Sequence, residues 1–274
     1  MSRVAAIQMA SGPNVSANLT EAARLINRAA DAGAELVVLP ENFAFMGMHE
    51  QDKVSVRESS GSGHIQDFLA QQAAKHQVWL VGGTIPLEAA SADKVRAACL
   101  LYDDSGAPVA RYDKIHLFDV TLQESGETYN ESASIEAGDR VVVAQTPFGS
   151  LGLAVCYDLR FPELFRAMVE QNVQIIAIPS AFTAITGRAH WEALVRARAI
   201  ENLSYVIAAA QGGYHVNGRE THGDSMIVDP WGTILDRLPR GSGFVVAELD
   251  LTKVESTRRN FPALRHRRMP CNMQ

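Results

Sequence analysis

The chain has 274 residues and a formal net charge of −6; 47% of residues are apolar and 20% charged. That balance belongs to a globular protein with a sizeable core, and the acidic excess removes any global drive toward nucleic acid or an anionic membrane. No apolar run reaches the roughly 18 residues that cross a bilayer. The three cysteines, Cys99, Cys156 and Cys271, match no zinc spacing and are odd in number, which speaks against a disulfide framework. Together these features predict a protein of the reducing cytoplasm.

The N-terminal segment has no long apolar core before a cleavage site, so residues 4–8 read as a first strand rather than part of a leader. Helical spacing of Leu19, Ala22, Ala23, Leu25 and Ile26 predicts a helix over 18–32, stopped by Gly33. Strand follows at 36–39, helix at 65–76 and strand at 78–82. Segments 96–102, 109–113 and 141–146 predict a meander, with a turn at Asp103-Asp104-Ser105-Gly106. Strand 151–155 precedes a helix opened by Phe161-Pro162-Glu163, with proline near its first turn. Strand 175–178, helix 190–202 and strand 205–210 come next, then strands near 225–228, 233–237 and 244–249. No Pro- or Ser-rich linker interrupts 1–274, so one α/β domain is expected. This many strands suits two stacked sheets with outer helices better than a plain doubly wound sheet.

Three apolar strands end in reactive or constrained residues. Val37-Val38-Leu39-Pro40 leads to Glu41, Leu153-Ala154-Val155 to Cys156, and Ile176-Ala177-Ile178-Pro179 to Ser180-Ala181-Phe182. Ligand sites of parallel α/β folds lie beyond such carboxyl ends. Taken singly, Cys156 reads best as a small buried core residue. Placed just before a helix, it would feel the positive dipole end and favour a thiolate, with the Tyr157 N–H available to an oxyanion. A half-desolvated Glu41 suits a general base, although a strand-end acid is also a common cap. Lys114, closing Ala110-Arg111-Tyr112-Asp113-Lys114, would support a thiolate or an oxyanion if it lay beside the thiol.

These segments together resemble the nitrilase superfamily of carbon–nitrogen hydrolases. The resemblance is carried by Leu39-Pro40-Glu41-Asn42-Phe43, by Tyr112-Asp113-Lys114-Ile115-His116-Leu117-Phe118, and by Val155-Cys156-Tyr157-Asp158-Leu159-Arg160-Phe161-Pro162-Glu163-Leu164. It implies an α-β-β-α sandwich, with Glu41 as general base, Lys114 as oxyanion donor and Cys156 as a nucleophile that forms a thioester. A second glutamate is implied between lysine and cysteine. Glu131 fits that spacing, with Glu124 and Glu127 competing in the same loop. Neither a metal nor an organic cofactor is implied.

Within the superfamily the chain most resembles the Nit branch, through Pro179-Ser180-Ala181-Phe182-Thr183, Thr186-Gly187, Ala189-His190-Trp191-Glu192, Ala208-Ala209-Ala210-Gln211 and Met226-Ile227-Val228-Asp229-Pro230-Trp231-Gly232. The Pro-Ser-Ala-Phe form is more like the deaminated glutathione amidases than the ω-amidases of that branch. The implied reaction is hydrolysis of deaminated glutathione to 2-oxoglutarate and cysteinylglycine, with 2-oxoglutaramate or 2-oxosuccinamate as the alternative substrates. Arg160 is the candidate for the substrate carboxylate, unless it pairs with Glu163 or Asp158; Phe182 and Thr186 match substrate-lining positions. Asp224, where relatives carry histidine, and Arg188 depart from the pattern.

Other classes fit less well. Nitrile cleavage is permitted by the same chemistry but not favoured by the branch. A papain-like enzyme would need His116 or His222 as partner, and neither stands in the right motif. His190-Trp191-Glu192 lacks the second histidine of a zinc protease helix, so His190 and Trp191 are expected to serve structure or dimer formation. A non-catalytic interaction protein would use the basic stretch from Arg258 to Arg268. The resemblance instead predicts that a tail of about 251–274 packs across a homodimer or higher homo-oligomer.

Overall fold

The computed structural model describes residues 1–123 and 126–269; Glu124 and Cys271, and the end of the expected tail, lie outside them. Side chains alternate along β1 (Ser2–Gln8): Val4 and Ala6 enter one apolar core, Ala5 and Ile7 another. A strand buried on both faces produces that pattern. α1 (Val15–Asp31) is capped by Asn14, whose side chain accepts from the Ala17 N–H at 3.0 Å. Its stripe of Leu19, Ala22, Leu25, Ile26 and Ala29 covers the second core. β2 (Leu36–Val38) runs parallel to β1; after α2 (His64–His76), β3 (Trp79–Val81) runs parallel to β2. β4 (Ile85–Glu88), β5 (Val95–Tyr102) and β6 (Pro108–Asp113) continue the sheet antiparallel.

A hairpin of β7 (Asp119–Thr121) and β8 (Thr128–Asn130) leads into a 3-10 turn at Glu131–Ala133. The second sheet then forms from β9 (Val143–Thr146), β10 (Gly149–Leu153), β11 (Ile175–Ser180) and β12 (Tyr205–Ala210). Here α3 (Pro162–Glu170) and α4 (Ala184–Asn202) are the crossovers between parallel neighbours. A second hairpin, β13 (Gly212–Tyr214) and β14 (Glu220–His222), precedes β15 (Ser225–Val228) and β16 (Ile234–Leu238). β17 (Gly243–Leu249) returns to the first sheet, antiparallel along all of β1, and α5 (Leu251–Asn260) follows.

Among the described residues the sheets run β17-β1-β2-β3-β5-β4, with β6 on β5, and β16-β15-β12-β11-β10-β9. Val4, Ala6, Leu36 and Val38 of the first sheet share one core with Leu151, Leu153, Ile175 and Ala177 of the second. α1 and α2 cover the far side of the first sheet; Phe165, Met168, Trp191, Val195 and Ala199 of α3 and α4 cover that of the second. This is the expected α-β-β-α sandwich.

Besides adding β4, β7, β8, β13, β14 and α5, which the sequence-based reading does not mark, the structure differs from expectation at three of the expected elements. Segments 96–102 and 109–113 pair as expected, but 141–146 does not extend their meander. Its strand is the edge of the other sheet, because 114–142 carry the chain across the sandwich. Apolar alternation does not say which sheet a strand joins. The strand placed at 151–155 ends at Leu153. The helix expected from 190 begins at Ala184, with Thr183 accepting from the Thr186 N–H at 3.2 Å. Gly187 lies inside this helix, and glycine is needed there because a Cβ would sit 2.2 Å from the His222 side chain.

Candidate active site

β2 leads to Glu41 and β10 to Cys156, so the carboxyl ends of two strands from different sheets deliver their acid and thiol to one cleft. The cleft is small, about 280 Å³, and is lined by Glu41, Glu131, Cys156, Arg160, Phe182 and Arg219, among others. Glu41 is 3% exposed. Its carbonyl accepts from Gln211 Nε2 at 3.0 Å, at the end of β12, and the next N–H, of Asn42, donates to Thr84 Oγ1 at 2.8 Å. Gly83 lets that loop close: a Cβ there would meet the Pro40 carbonyl at 2.1 Å, and its φ is +56°.

Lys114 follows β6 and is fully buried. Its Nζ lies 2.8 Å from Glu41 Oε1 and 2.8 Å from Glu131 Oε2. Glu131 Oε2 also accepts from the Phe118 N–H at 2.8 Å. Of the competing acids, Glu127 stands in the β7–β8 hairpin and accepts from the Tyr129 hydroxyl at 3.2 Å. Burial disfavours the Lys114 ammonium, but Glu131 and Glu41 outweigh that and hold its pKa well above the ordinary lysine value. Burial raises the Glu131 carboxyl, and Lys114 and Lys53 reverse this, bringing its pKa down to about 2. An ammonium between two carboxylates is thus fixed at the cleft floor, charged and unable to swing away.

Cys156 has φ +50°, a conformation that costs a non-glycine residue about 1–3 kcal/mol. The turn Cys156–Arg160 that holds it is a 3-10 turn stapled by Asp158, which is fully buried. Asp158 Oδ2 accepts from the Val155 N–H at 2.8 Å and the Tyr112 hydroxyl at 2.6 Å; Oδ1 accepts from the His116 N–H at 3.0 Å. The strain at the cysteine is therefore offset by bonds that reach the other sheet. In the sequence Asp158 stands out only as a partner for Arg160; its place in the Cys156 motif is the one signal of this second role.

Burial pushes the Cys156 thiol well above the usual cysteine value, and Glu41, hydrogen-bonded to it, pushes the same way; Lys114 and the Ala181 N–H, 3.5 Å from Sγ, oppose them. This corrects the expectation of a thiolate favoured by a helix dipole. The α-helix starts only at Pro162, six residues on, so its positive end is not at the sulfur. The resting group is a protonated thiol with a carboxylate beside it, an arrangement suited to proton transfer concerted with attack on a carbonyl.

Arg160 lies in the cleft wall, its Nη1 3.2 Å from His190 Nδ1 and its guanidinium carbon 5.8 Å and 5.2 Å from the Tyr157 and Phe182 ring centres. Phe182 packs edge-on against Trp191 at 5.0 Å. Thr186 does not line the cleft: its hydroxyl is 2.8 Å from that of Thr183, at the start of α4, and Thr183 is the lining residue. His116 is stacked on Phe161 and bonded to Asp158, and His222 stands beside Asp224 in a separate groove with Arg188. Asp224 is bonded by Arg237 through both oxygens, at 2.5 Å and 2.7 Å. Among the described residues no cluster of His, Cys, Asp and Glu has metal-site geometry.

Comparison with known proteins gives a consistent picture. The family model described as carbon–nitrogen hydrolase matches residues 3–259. The chain is 44% identical over 266 residues to a deaminated glutathione amidase of Synechocystis sp., an alignment covering 96% of this chain and 97% of that protein. Its structure resembles that of Nit3 of Saccharomyces cerevisiae, a member of branch 10 of the nitrilase superfamily, with TM-score 0.88, 31% identity and 98% and 97% of the two chains covered. It also resembles the Caenorhabditis elegans NitFhit protein, with TM-score 0.90 and 37% identity. There it covers 97% of this chain but 65% of the longer one, so it spans just under two thirds of that protein.

Proposed function

The chain belongs to the carbon–nitrogen hydrolase family and is a hydrolase of amide carbon–nitrogen bonds, and from that premise we propose that it cleaves deaminated glutathione to 2-oxoglutarate and cysteinylglycine through a thioester on Cys156. The observation that carries this reading is the Lys114 ammonium bonded at 2.8 Å to both Glu41 and Glu131, in the cleft that holds the thiol. Whole-length likeness to a deaminated glutathione amidase supports the substrate.

In the proposed cycle Glu41 takes the thiol proton as Sγ attacks the amide carbonyl. Lys114 and the Tyr157 N–H stabilise the oxyanion. The carbon–nitrogen bond then breaks, the nitrogen leaves with the proton from Glu41, and the acyl group stays on sulfur. Glu41 next takes a proton from water, hydroxide displaces the Cys156 thiolate from the acyl carbon, and the thiolate takes that proton back from Glu41. Glu131 orients Lys114. Arg160 receives the carboxylate of the acyl group, a geometry that guanidinium serves well, while Phe182 and Thr183 shape the wall.

Release of 2-oxoglutarate from deaminated glutathione, followed beside ammonia release from 2-oxoglutaramate, tests the substrate. A kcat/KM much larger for 2-oxoglutaramate would assign the chain to ω-amidase chemistry instead. The same reading includes one domain over 1–274, a cytoplasmic setting and a homodimer or higher homo-oligomer, for which exposed Ile200, Trp231 and Phe261 supply apolar surface. Light scattering reads the oligomer. Part of the basic stretch is used within the chain: Arg258 Nε donates to the Leu203 carbonyl at 3.1 Å, and Arg267 pairs with Glu170. No described helix is long and apolar enough to cross a membrane.

A further inference from the structure

The cleft around Cys156 contains two guanidinium groups, and the mechanism above uses only Arg160. The other belongs to Arg219, the residue before β14, and it lines the same cleft. Its Nη2 donates to the Ala181 carbonyl at 2.7 Å, and its guanidinium carbon lies 5.0 Å from the centre of the Tyr129 ring. The N–H of Ala181 in turn points at Cys156 Sγ. A single residue therefore links Arg219 to the sulfur. Arg219 Nε is buried and has no hydrogen-bond partner among the described residues. A buried donor without a partner is unfavourable, and an anionic ligand held by this guanidinium would offset that cost.

The charges around it decide which anion. Glu41 and Glu131 place carboxylates in the cleft wall, and Glu50, outside the lining, lies near enough for the field of Arg219 to reach it. The other cations there are committed: Lys114 to Glu41 and Glu131, and Lys53 to Glu50 at 2.6 Å. An anionic group arriving beside Glu41 and Glu131 would be repelled unless Arg219 met it. In the proposed cycle that is the side of departure, because Glu41 hands its proton to the leaving nitrogen. A dipeptide leaving group extends about 7 Å from that nitrogen, and Arg219 is joined to the sulfur through one residue, Ala181.

We propose that Arg219 binds the terminal carboxylate of a dipeptide leaving group, so that the cleft recognises an amide with an anion at each end: Arg160 for the acyl side and Arg219 for the departing side. This rests on the amidase reading above and sharpens it, because ammonia released from a simple 2-oxo amide carries no such carboxylate.

The test compares kcat/KM for deaminated glutathione with that for its C-terminal glycinamide form, in wild type, Arg219→Gln and Arg219→Lys. Wild type should prefer the free carboxylate by about tenfold or more, the range of a charge-assisted hydrogen bond. Arg219→Gln should bring the ratio to within about twofold of one, and Arg219→Lys should restore part of it. If Arg219→Gln lowers both rates and keeps the wild-type ratio, Arg219 only supports Ala181 and Tyr129, and the proposal is wrong. It is equally wrong if wild type shows no preference. Should wild type cleave neither compound, the substrate reading fails by itself. Inhibition of 2-oxoglutaramate hydrolysis by cysteinylglycine and by cysteinylglycinamide then reads the same ratio for Arg219. Stronger inhibition by the free carboxylate, lost in Arg219→Gln, supports the proposal; equal inhibition by the two, or a preference that survives Arg219→Gln, overturns it.

Discussion

The Tyr112 hydroxyl donates to Asp158 Oδ2 at 2.6 Å, and both residues are fully buried. Tyr112 belongs to the first sheet and Asp158 to the turn after a strand of the second, so this bond joins the halves of the sandwich directly behind Cys156. Burial and the Asp158 carboxylate keep the phenol protonated, with its pKa well above the ordinary tyrosine value. Tyr112→Phe removes this bond and the longer one that the hydroxyl accepts from the Ile115 N–H at 3.4 Å, and should cost about 1–2 kcal/mol, with a modest loss of kcat. Asp158→Ala strands the Tyr112 hydroxyl and the Val155 and His116 N–H groups, and should cost about 3 kcal/mol or more. Cys156 would then relax from its positive φ, so kcat should fall far more than KM rises. Urea denaturation and steady-state kinetics read both; a kcat unchanged in folded Asp158→Ala would show that the staple does not position the sulfur.

Cys156→Ala should abolish turnover while leaving the urea midpoint close to wild type, since one small buried atom is lost. Wild type quenched in acid during turnover should carry an acyl mass on Cys156. Absence of that adduct with a well-turned-over substrate would count against the thioester route.

Lys114→Met leaves Glu41 and Glu131 facing each other in a buried site. Removing one member of such a set costs about 3–5 kcal/mol, and turnover should vanish with the oxyanion donor. Lys114→Met combined with Glu131→Gln should recover part of the stability and none of the turnover. Recovery of turnover in the double variant would show that Lys114 serves folding alone.

Stability should fall at both ends of the pH range, for opposite reasons. The Glu131 carboxyl is depressed to about 2 in the folded chain, below an unfolded value of roughly 4.3. Its contribution is present above about pH 4.3 and is lost as the pH falls through 2. The thiols of Cys156 and Cys99 are pushed up by burial, so the unfolded chain loses their protons first. Stability should therefore decline as the pH rises above the free thiol value of about 8.5. Urea midpoints from about pH 2 to about pH 10.5 span both limbs, from the depressed carboxyl to beyond the free thiol. Cys156→Ala should flatten the alkaline limb, and an identical limb in that variant would assign it to other groups.

Most elements are legible in the sequence because their apolar spacing has only one consistent period, as in α1 and in the strands leading to Glu41 and Cys156. The site is legible as three separated motifs, each pinned to the end of an apolar strand. What stays hidden depends on contacts between segments far apart. The need for glycine at 187 comes from His222, packed against it from a distant hairpin. Thr186 reads as a cleft residue until its hydroxyl is found beside Thr183. Gln211 and Arg219 stand in no catalytic motif, yet one holds the Glu41 carbonyl and the other lines the cleft.

The sequence by itself pointed to two stacked sheets through its strand count, and to Glu41, Lys114 and Cys156 as candidates through the motifs that carry the family resemblance, because those signals are written in neighbouring residues. Only the tertiary structure decided the protonation of Cys156. Desolvation and the nearness of Glu41, 115 positions away in the chain, outweigh Lys114 there and leave a thiol, where the sequence alone predicts a thiolate. Only the tertiary structure, likewise, brought a second guanidinium to the cleft, since the approach of Arg219 to Ala181 arises from the packing of a hairpin against the end of another strand.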